Sequence, residues 1–486
     1  MVKQVDTLQI KQQFKISPAS FVPAKFFYKK FRVRNNNLKL IIFFISYFLL
    51  IILYSLFSYS LTAPNLVLSN NPTFWKFQTY MWDKYFLDRK LLTYTFTFLI
   101  TLLFGNYFLI LNFLKKKQLK TKINNIKFAF IAVLFFALPL LFSNNSLSYD
   151  VFNYIFNAKI VLHYKADPHV KVALDYARDD WTRFMHNTHT PAPYARGWTI
   201  LSLLPYQIIY SIVGGHKFLS QWLGFRLFSI LSIILLFFSI NYLYKKIQNS
   251  KFIIYNFLIL FFNPLFLIEI ISNSHNDLWM MTPAVLSLAL LVKSKKKHVL
   301  VKIIKLLASI LLLTASIYIK LASAVLLPIW LYLFIKNVTI FKYILKFINS
   351  KLIISSASFV PAEFWRTKFR VRNKNSKLLN SHWPLLASMA MFVPLFTERS
   401  KYFLPWYLVW SMVWLPLIKN KLWKNLILVF SVSAMLRYVP FLWYGAYGES
   451  VLFKQKLITW LPGVIYLLIY CIYKLLKKYQ TALHKS

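Results

Sequence analysis

In the run Ser148-Tyr149-Asp150-Val151-Phe152-Asn153-Tyr154, a carboxylate stands just beyond an apolar stretch long enough to sit in a membrane. The chain has only 13 Asp and Glu against 59 Lys and Arg, so an acid placed where the chain leaves lipid is a candidate for chemistry. A carboxylate at a water–lipid boundary stays ionised near neutral pH and can take the proton of an alcohol that comes within hydrogen-bond reach. Asp150 is therefore the candidate general base. Its alternative role is an N-cap, because Asp accepts the free N–H groups at a helix start.

His275-Asn276-Asp277 form a second polar group, at the end of another apolar run. His275 would contact an anionic phosphate, with Asp277 orienting it or binding hydroxyls; the alternative is a polar turn with a cap. Glu269 lies inside the preceding apolar run, where an acid is costly and needs a partner; Arg226 is the candidate. The planar fork of Arg226 would also suit a phosphate. Lys320 and Arg437 offer the same choice between gripping phosphate and snorkelling to the interface. Trp406, Tyr407 and Trp410 would wall a sugar or a prenyl chain, or form an aromatic belt. His186, His189, Asp179 and Asp180 share a polar loop, but their spacing fits no metal motif, so no metal is expected there.

The elements that must hold these residues follow from composition. With 58% hydrophobic and 19% aromatic residues and mean hydropathy +0.52, the chain repeats apolar runs that approach the ~20 residues a helix needs to cross a bilayer. The sequence predicts an all-α polytopic membrane protein. A net charge of +46 would suit nucleic acid, but the basic residues cluster in short segments between apolar runs: Lys115 to Lys127, Lys245 to Lys251, Lys293 to Lys302, Lys342 to Lys377, Lys419 to Lys424 and Lys474 to Lys485. Such loops stay cytoplasmic and touch anionic lipid, which points to the bilayer as partner and away from nucleic acid. One cysteine, Cys471, leaves no internal disulfide and no cysteine metal cluster.

Spans at 38–62, 91–114, 127–142, 222–243, 251–271, 278–293, 299–319, 321–336, 382–397, 403–418, 423–437 and 456–473 put those loops on one side, giving about twelve crossings with both termini cytoplasmic. The count requires 198–213, which contains Pro205 and precedes Gly214-Gly215, to be a re-entrant or juxtamembrane helix. Residues 1–37 read as a retained basic cytoplasmic tail and 38–486 as a single transmembrane domain. Nearly all acids then fall outside, five of them in a long external loop, 143–197. The spacing of Val151, Tyr154, Ile155, Ala158, Val161 and Leu162 predicts a helix lying along the membrane surface at its start.

Four segments in order resemble the bacterial polyprenol-phosphate-mannose-dependent α-1,6-mannosyltransferases of the GT-C glycosyltransferase superfamily. They are SYDVFNYIFNAKIVLHYKADPH (148–169), Thr190-Pro191-Ala192-Pro193-Tyr194, Asn263-Pro264-Leu265 through Glu269 to His275-Asn276-Asp277, and Pro405-Trp406-Tyr407-Leu408-Val409-Trp410. The family usually has Gly directly after the Pro-Tyr pair, where this chain has Ala195-Arg196-Gly197, and an aromatic where His169 stands. The resemblance implies an inverting transfer of a sugar, mannose by analogy, from a polyprenyl phosphate to an extracytoplasmic glycan or glycolipid, with Asp150 as base and no metal or other cofactor. Arg226, His275, Lys320 and Arg437 would bind the donor phosphate. Tyr154, Asp167, Tyr194 and Glu269, with Asn276, Asp277, Trp406 and Tyr407, would bind sugar and acceptor. The rival reading is a lipid or glycan transporter or flippase. That reading expects paired broken helices and acids at mid-bilayer depth, whereas here the acids gather in external loops. A structural subunit without catalysis is the third reading.

Residues 19–40 recur as 357–378, inside a cytoplasmic insert at 349–380, with identity at 16 of 22 positions, while the flanking spans show no matching repeat. A structural repeat extends over a whole supersecondary unit, so this duplication reads as a mobile coding element translated twice. Deleting 357–378 is expected to leave activity intact; a deletion variant that inserts normally but is inactive would contradict this.

Overall fold

The computed structural model describes residues 24–62, 67–120, 126–145, 147–185, 187–247, 253–292, 299–337, 382–397 and 403–483. The duplicated segment 357–378 and the insert around it lie outside the described residues, as does most of the basic tail. Every regular element among the described residues is helical. Six helices are long and apolar enough to cross a membrane: Leu38–Leu61, Arg89–Lys116, Phe218–Ile247, Leu300–Ile319, Lys421–Tyr444 and Glu449–Thr481. A bent pair, Ile253–Phe261 with Pro264–Ser272, makes a seventh if counted as one span.

The expected count of twelve is thus not reached. The runs at 127–142, 278–293, 321–336 and 382–397 form apolar helices of only 10–17 residues. At 1.5 Å per residue the shorter of these fall short of a ~30 Å hydrocarbon core, whereas Ile126–Phe142 lies at the lower limit of length for a crossing. The run at 403–418 is a chain of short turns, Pro405–Leu408 and Val409–Met412, rather than a rod. Two of these runs are enclosed by protein: Asp277–Leu291 is buried along most of its length, and every residue from Val409 to Ile418 is buried, whereas the other three expose large apolar side chains such as Ile131, Leu321 and Phe396. Composition alone does not separate burial in protein from burial in lipid. Arg196–Val213 runs unbroken through Pro205, ends at Gly214 in the left-handed region (φ 69°), and is not among the candidate spans.

The bend at 263–264 follows from local chemistry. Pro264 has no N–H and forces the preceding residue out of helical geometry, and Asn263 is accordingly extended (ψ 126°). Its Oδ1 accepts the N–H of Leu265 at 3.0 Å, capping the new helix while its Nδ2 donates to Ser431 Oγ at 3.0 Å. The two halves meet at 54°.

The Asp150–Leu162 helix does not lie on a surface. All residues from Val151 to Ile160 are buried. One apolar face packs in the main core; the second, Phe156 and Ile160, is covered by Ala173, Tyr164, Tyr176 and Trp181 of the loop that follows. Lys159 is held under that loop by Asp179 at 2.6 Å and lies 3.8 Å from the Trp181 ring. The helical spacing read from sequence captured only the first face. Nearby, Gly197 lets the Arg196–Val213 helix touch the end of Val299–Ile319: a Cβ there would sit 2.4 Å from Tyr318 O. Tyr318 lies two residues before Lys320, so this contact fixes where that ammonium emerges.

Arg226 holds these parts together. It is fully buried, and one guanidinium nitrogen donates to Leu140 O, Leu141 O and Ser143 Oγ. The other donates to Asn145 Oδ1 at 2.6 Å and Ser272 O at 2.7 Å. The charge also lies 4.2 Å from the Trp222 ring. Neither a snorkelling side chain nor a partner of Glu269, Arg226 ties the end of one apolar helix and the start of the loop that follows it to the end of the bent pair. Arg226→Met would leave several buried acceptors without donors and is expected to destabilise the protein by about 3–5 kcal/mol. Chemical unfolding of detergent-solubilised protein measures this; a variant that loses donor affinity at unchanged stability would restore the phosphate-ligand reading.

Candidate active site

The bent pair ends in a π-helical turn, Ile268–Ser272, closed by Asn273 N–H donating to Ile268 O at 2.9 Å. Such wide turns are rare and recur at functional sites. Ser274 follows at φ 57°, a conformation that a residue with a side chain adopts only when its surroundings impose it. Here Ser274 Oγ donates to Ile271 O at 3.1 Å and His275 N–H to Glu269 O at 3.2 Å. These two devices fold His275 back over the helix end, above Glu269.

The His275 imidazole lies between two carboxylates. Nδ1 is 3.3 Å from Asp150 Oδ2 and Nε2 is 3.4 Å from Glu269 Oε2, while the ring stacks on Trp406 with centroids 3.7 Å apart. Burial pulls the imidazole pKa down, but the two carboxylates outweigh it and raise it to about 9. Asp150 is affected in the reverse sense: burial pushes its carboxyl up, and His275, Lys320 and the Tyr194 hydroxyl more than compensate, holding it below the ordinary value. The carboxylate does not cap its helix. Tyr149 occupies the cap position without a side-chain bond, and Ser148 Oγ accepts the Asp150 N–H instead, at 3.3 Å.

Lys320 forms the second half of the site. Its Nζ is 2.8 Å from Asp277 Oδ1 and 3.4 Å from Asn276 Oδ1, and Trp410 Nε1 donates to the same Asp277 oxygen. Tyr407 and Trp410 stack at 4.6 Å beneath the ammonium, 5.5 and 5.4 Å from it. Asp277 Oδ2 and Asn276 Nδ2 are buried without a hydrogen-bond partner among the described residues. Whereas Glu269, His275 and Asp277 are enclosed, the side chains of Asp150 and Lys320 are 26% and 23% exposed, so a carboxylate and an ammonium reach the surface of the cluster.

Asp150, His275, Asn276, Asp277, Lys320, Trp406, Tyr407 and Tyr194 therefore come together, and the other expected site residues do not. Arg226 is spent on backbone carbonyls. Arg437 is buried, donates to Thr459 Oγ1 at 3.2 Å and faces the Phe403 ring at 5.8 Å. Asp167 pairs with Arg196 at 2.9 Å and accepts the His169 N–H, fastening the loop to the next helix. Tyr154 is buried edge-on against Tyr194 and Trp198 and acts as wall. Glu269 is enclosed, accepting from Tyr438 OH at 2.9 Å and Asn273 Nδ2 at 2.8 Å, which removes it from contact with an acceptor sugar. Tyr438 and Asn273 were not foreseen; only Asn273, four residues after Glu269, had a signal, the spacing of one helical turn. Asp179 is taken by Lys159, His189 is exposed and His186 lies outside the described residues. Among the described residues no group of His, Cys, Asp and Glu is arranged to hold a metal ion.

A family profile described as alpha-(1->6)-mannopyranosyltransferase, N-terminal domain, matches residues 60–336. That range contains Asp150, Arg226, Glu269, His275, Asn276, Asp277 and Lys320, while Trp406 and Tyr407 lie beyond it. No curated protein and no solved structure matches the chain.

The raised imidazole pKa has a thermodynamic consequence. A group whose pKa is higher folded than unfolded contributes stability in full below its unfolded value, near 6.5, and loses it as pH rises through the folded value, here about 9. The unfolding free energy is expected to fall between pH 7 and 9 by up to about 3 kcal/mol, and His275→Gln to flatten that slope. Denaturant titrations across this window, with wild type and variant compared, measure it.

Proposed function

The chain belongs to the alpha-(1->6)-mannopyranosyltransferase family, and from that premise we propose that it moves mannose from a polyprenyl phosphate to an extracytoplasmic glycan or glycolipid, with Asp150 as general base. The observation that carries this reading is that Asp150, held by His275, and Lys320, held by Asp277, are the two partly exposed charged groups of an otherwise enclosed cluster. Asp150 accepts the proton of the acceptor hydroxyl as that oxygen bonds to the anomeric carbon. The bond from that carbon to the phosphate oxygen breaks on the opposite face, its electron pair leaving with the phosphate, and the configuration inverts. A phosphate departs readily as an anion, so no general acid is required. Lys320 and His275 offset the charge that develops on it.

Several features support these roles. Asp150, held ionised by its neighbours, is ready to act as a base at neutral pH. The stacked Tyr407–Trp410 pair and Trp406 provide flat apolar faces beside the cation, suited to the face of a sugar or to an isoprene unit. The basic loops between the spans orient this end of the bundle away from the cytoplasm, so that the donor is approached from the outer leaflet of the cytoplasmic membrane.

The test is transfer from radiolabelled polyprenyl-phosphate mannose into a membrane extract by purified protein. Asp150→Asn is expected to lower the rate by about 10²–10⁴-fold with unfolding nearly unchanged, and Lys320→Met to raise the donor KM. An Asp150→Asn protein that keeps a third or more of wild-type activity would sink the assignment of the base.

A further inference from the structure

Glu269 is an acid inside an apolar helix, enclosed by protein and out of reach of any substrate, yet it touches the imidazole that touches the base. We propose that Glu269 is a positioning residue: it holds His275 as a cation between two carboxylates, and that cation fixes Asp150 in its ionised form at the mouth of the site. The proposal rests on the reading of Asp150 as general base.

The geometry supports it in three steps. An enclosed carboxylate is tolerated when hydrogen bonds satisfy its charge. Tyr438 OH and Asn273 Nδ2 both donate to Glu269, one to each oxygen, so the anionic form is the one its surroundings fit. His275 then presents one ring nitrogen to each of two anions, 3.3 and 3.4 Å away. Neither contact is an aligned hydrogen bond, so they act through charge: an imidazolium is attracted to both carboxylates, whereas a neutral imidazole would leave the two anions facing each other across an uncharged ring. Finally, Trp406 lies flat against the ring at 3.7 Å, and an indole face favours a cation over a neutral ring.

The groups facing this centre from each packed element agree with that assignment. Asp150 comes from the external helix and Glu269 from the π-helical turn. Lys320, from the end of Leu300–Ile319, is paired to Asp277. Tyr194 and Tyr438 contribute hydroxyls, and Trp406 a ring. Charge thus alternates in sign from the enclosed Glu269 through His275 to Asp150 and Lys320.

The experiment has two arms. In the first, transfer rate is followed against pH. The wild-type alkaline limb is expected near the imidazole value of about 9; Glu269→Gln should move it down by about one unit or more, and Glu269→Asp should restore it. A purely structural role would lower the rate at every pH and leave the limb in place. The second arm needs neither the variant nor activity: wild-type protein labelled with ¹⁵N-histidine is examined by NMR in detergent, with the His275 signal identified by its loss in His275→Gln. Both ring nitrogens are expected to be protonated at pH 7.5. A neutral His275 at that pH, or a Glu269→Gln profile with an unmoved alkaline limb, overturns the proposal. Wild type that transfers no mannose at any pH would instead sink the transferase reading and leave the NMR arm to decide the charge on His275.

Discussion

A guanidinium inside a membrane protein is stable only where oxygens answer most of its N–H groups, because lipid and packed side chains offer no replacement for water; both terminal nitrogens of Arg226 are answered, while its Nε has no partner among the described residues. The oxygens that Arg226 finds belong to Leu140, Leu141, Ser143, Asn145 and Ser272, which are loose ends of two different helical segments. Helix ends have carbonyls that no intrahelical donor can reach, and one side chain satisfies several of them at once. The segment leading to Asp150 and the segment leading to His275 are therefore anchored to the same point. Ser272 Oγ reinforces the anchor, sharing a hydrogen bond with Ser143 Oγ at 2.8 Å and donating to Asn144 O at 3.3 Å, and together these contacts keep the Asp150 carboxylate and the imidazole within a few ångströms of each other.

The same restriction explains the pattern of charge. Each ionised group in the cluster has an opposite neighbour: Glu269 and Asp150 flank His275, and Lys320 answers Asp277. In a medium of low polarity such pairing decides whether a charge persists. Apolar packing provides that medium, since Trp406, Tyr407 and Trp410 line the cluster on one side and the enclosed helix Asp150–Leu162 lines it on another. Exposure then sorts the groups by role, with Asp150 and Lys320 reaching the surface while the others support them from behind.

Much of this centre was legible in the sequence because acids are so scarce. Asp150, His275, Asp277 and Lys320 were singled out by charge at the ends of apolar runs, and all four meet. Arg226 was misread because a guanidinium suited to phosphate is equally suited to backbone carbonyls, and residue type does not distinguish them. The partner of Glu269, Tyr438, stands 169 positions away, a separation no local pattern encodes. The twelve expected crossings exceed the six or seven long apolar helices among the described residues for a related reason: Asp277–Leu291 is as apolar as a crossing helix but spends that character on other helices. The helix after Asp150 was recognised as helical and placed wrongly, since its second apolar face, Phe156 and Ile160, is matched only by a loop whose path the periodicity does not reveal.

The wide turn at Ile268–Ser272 makes the spacing of this stretch as consequential as its composition. A π turn holds one residue more than the helix around it would need, and each residue advances an α-helix by about 100°. Losing a single amino acid there would let the backbone relax to ordinary winding and swing everything downstream through roughly a quarter of a revolution, aiming the imidazole away from both acids.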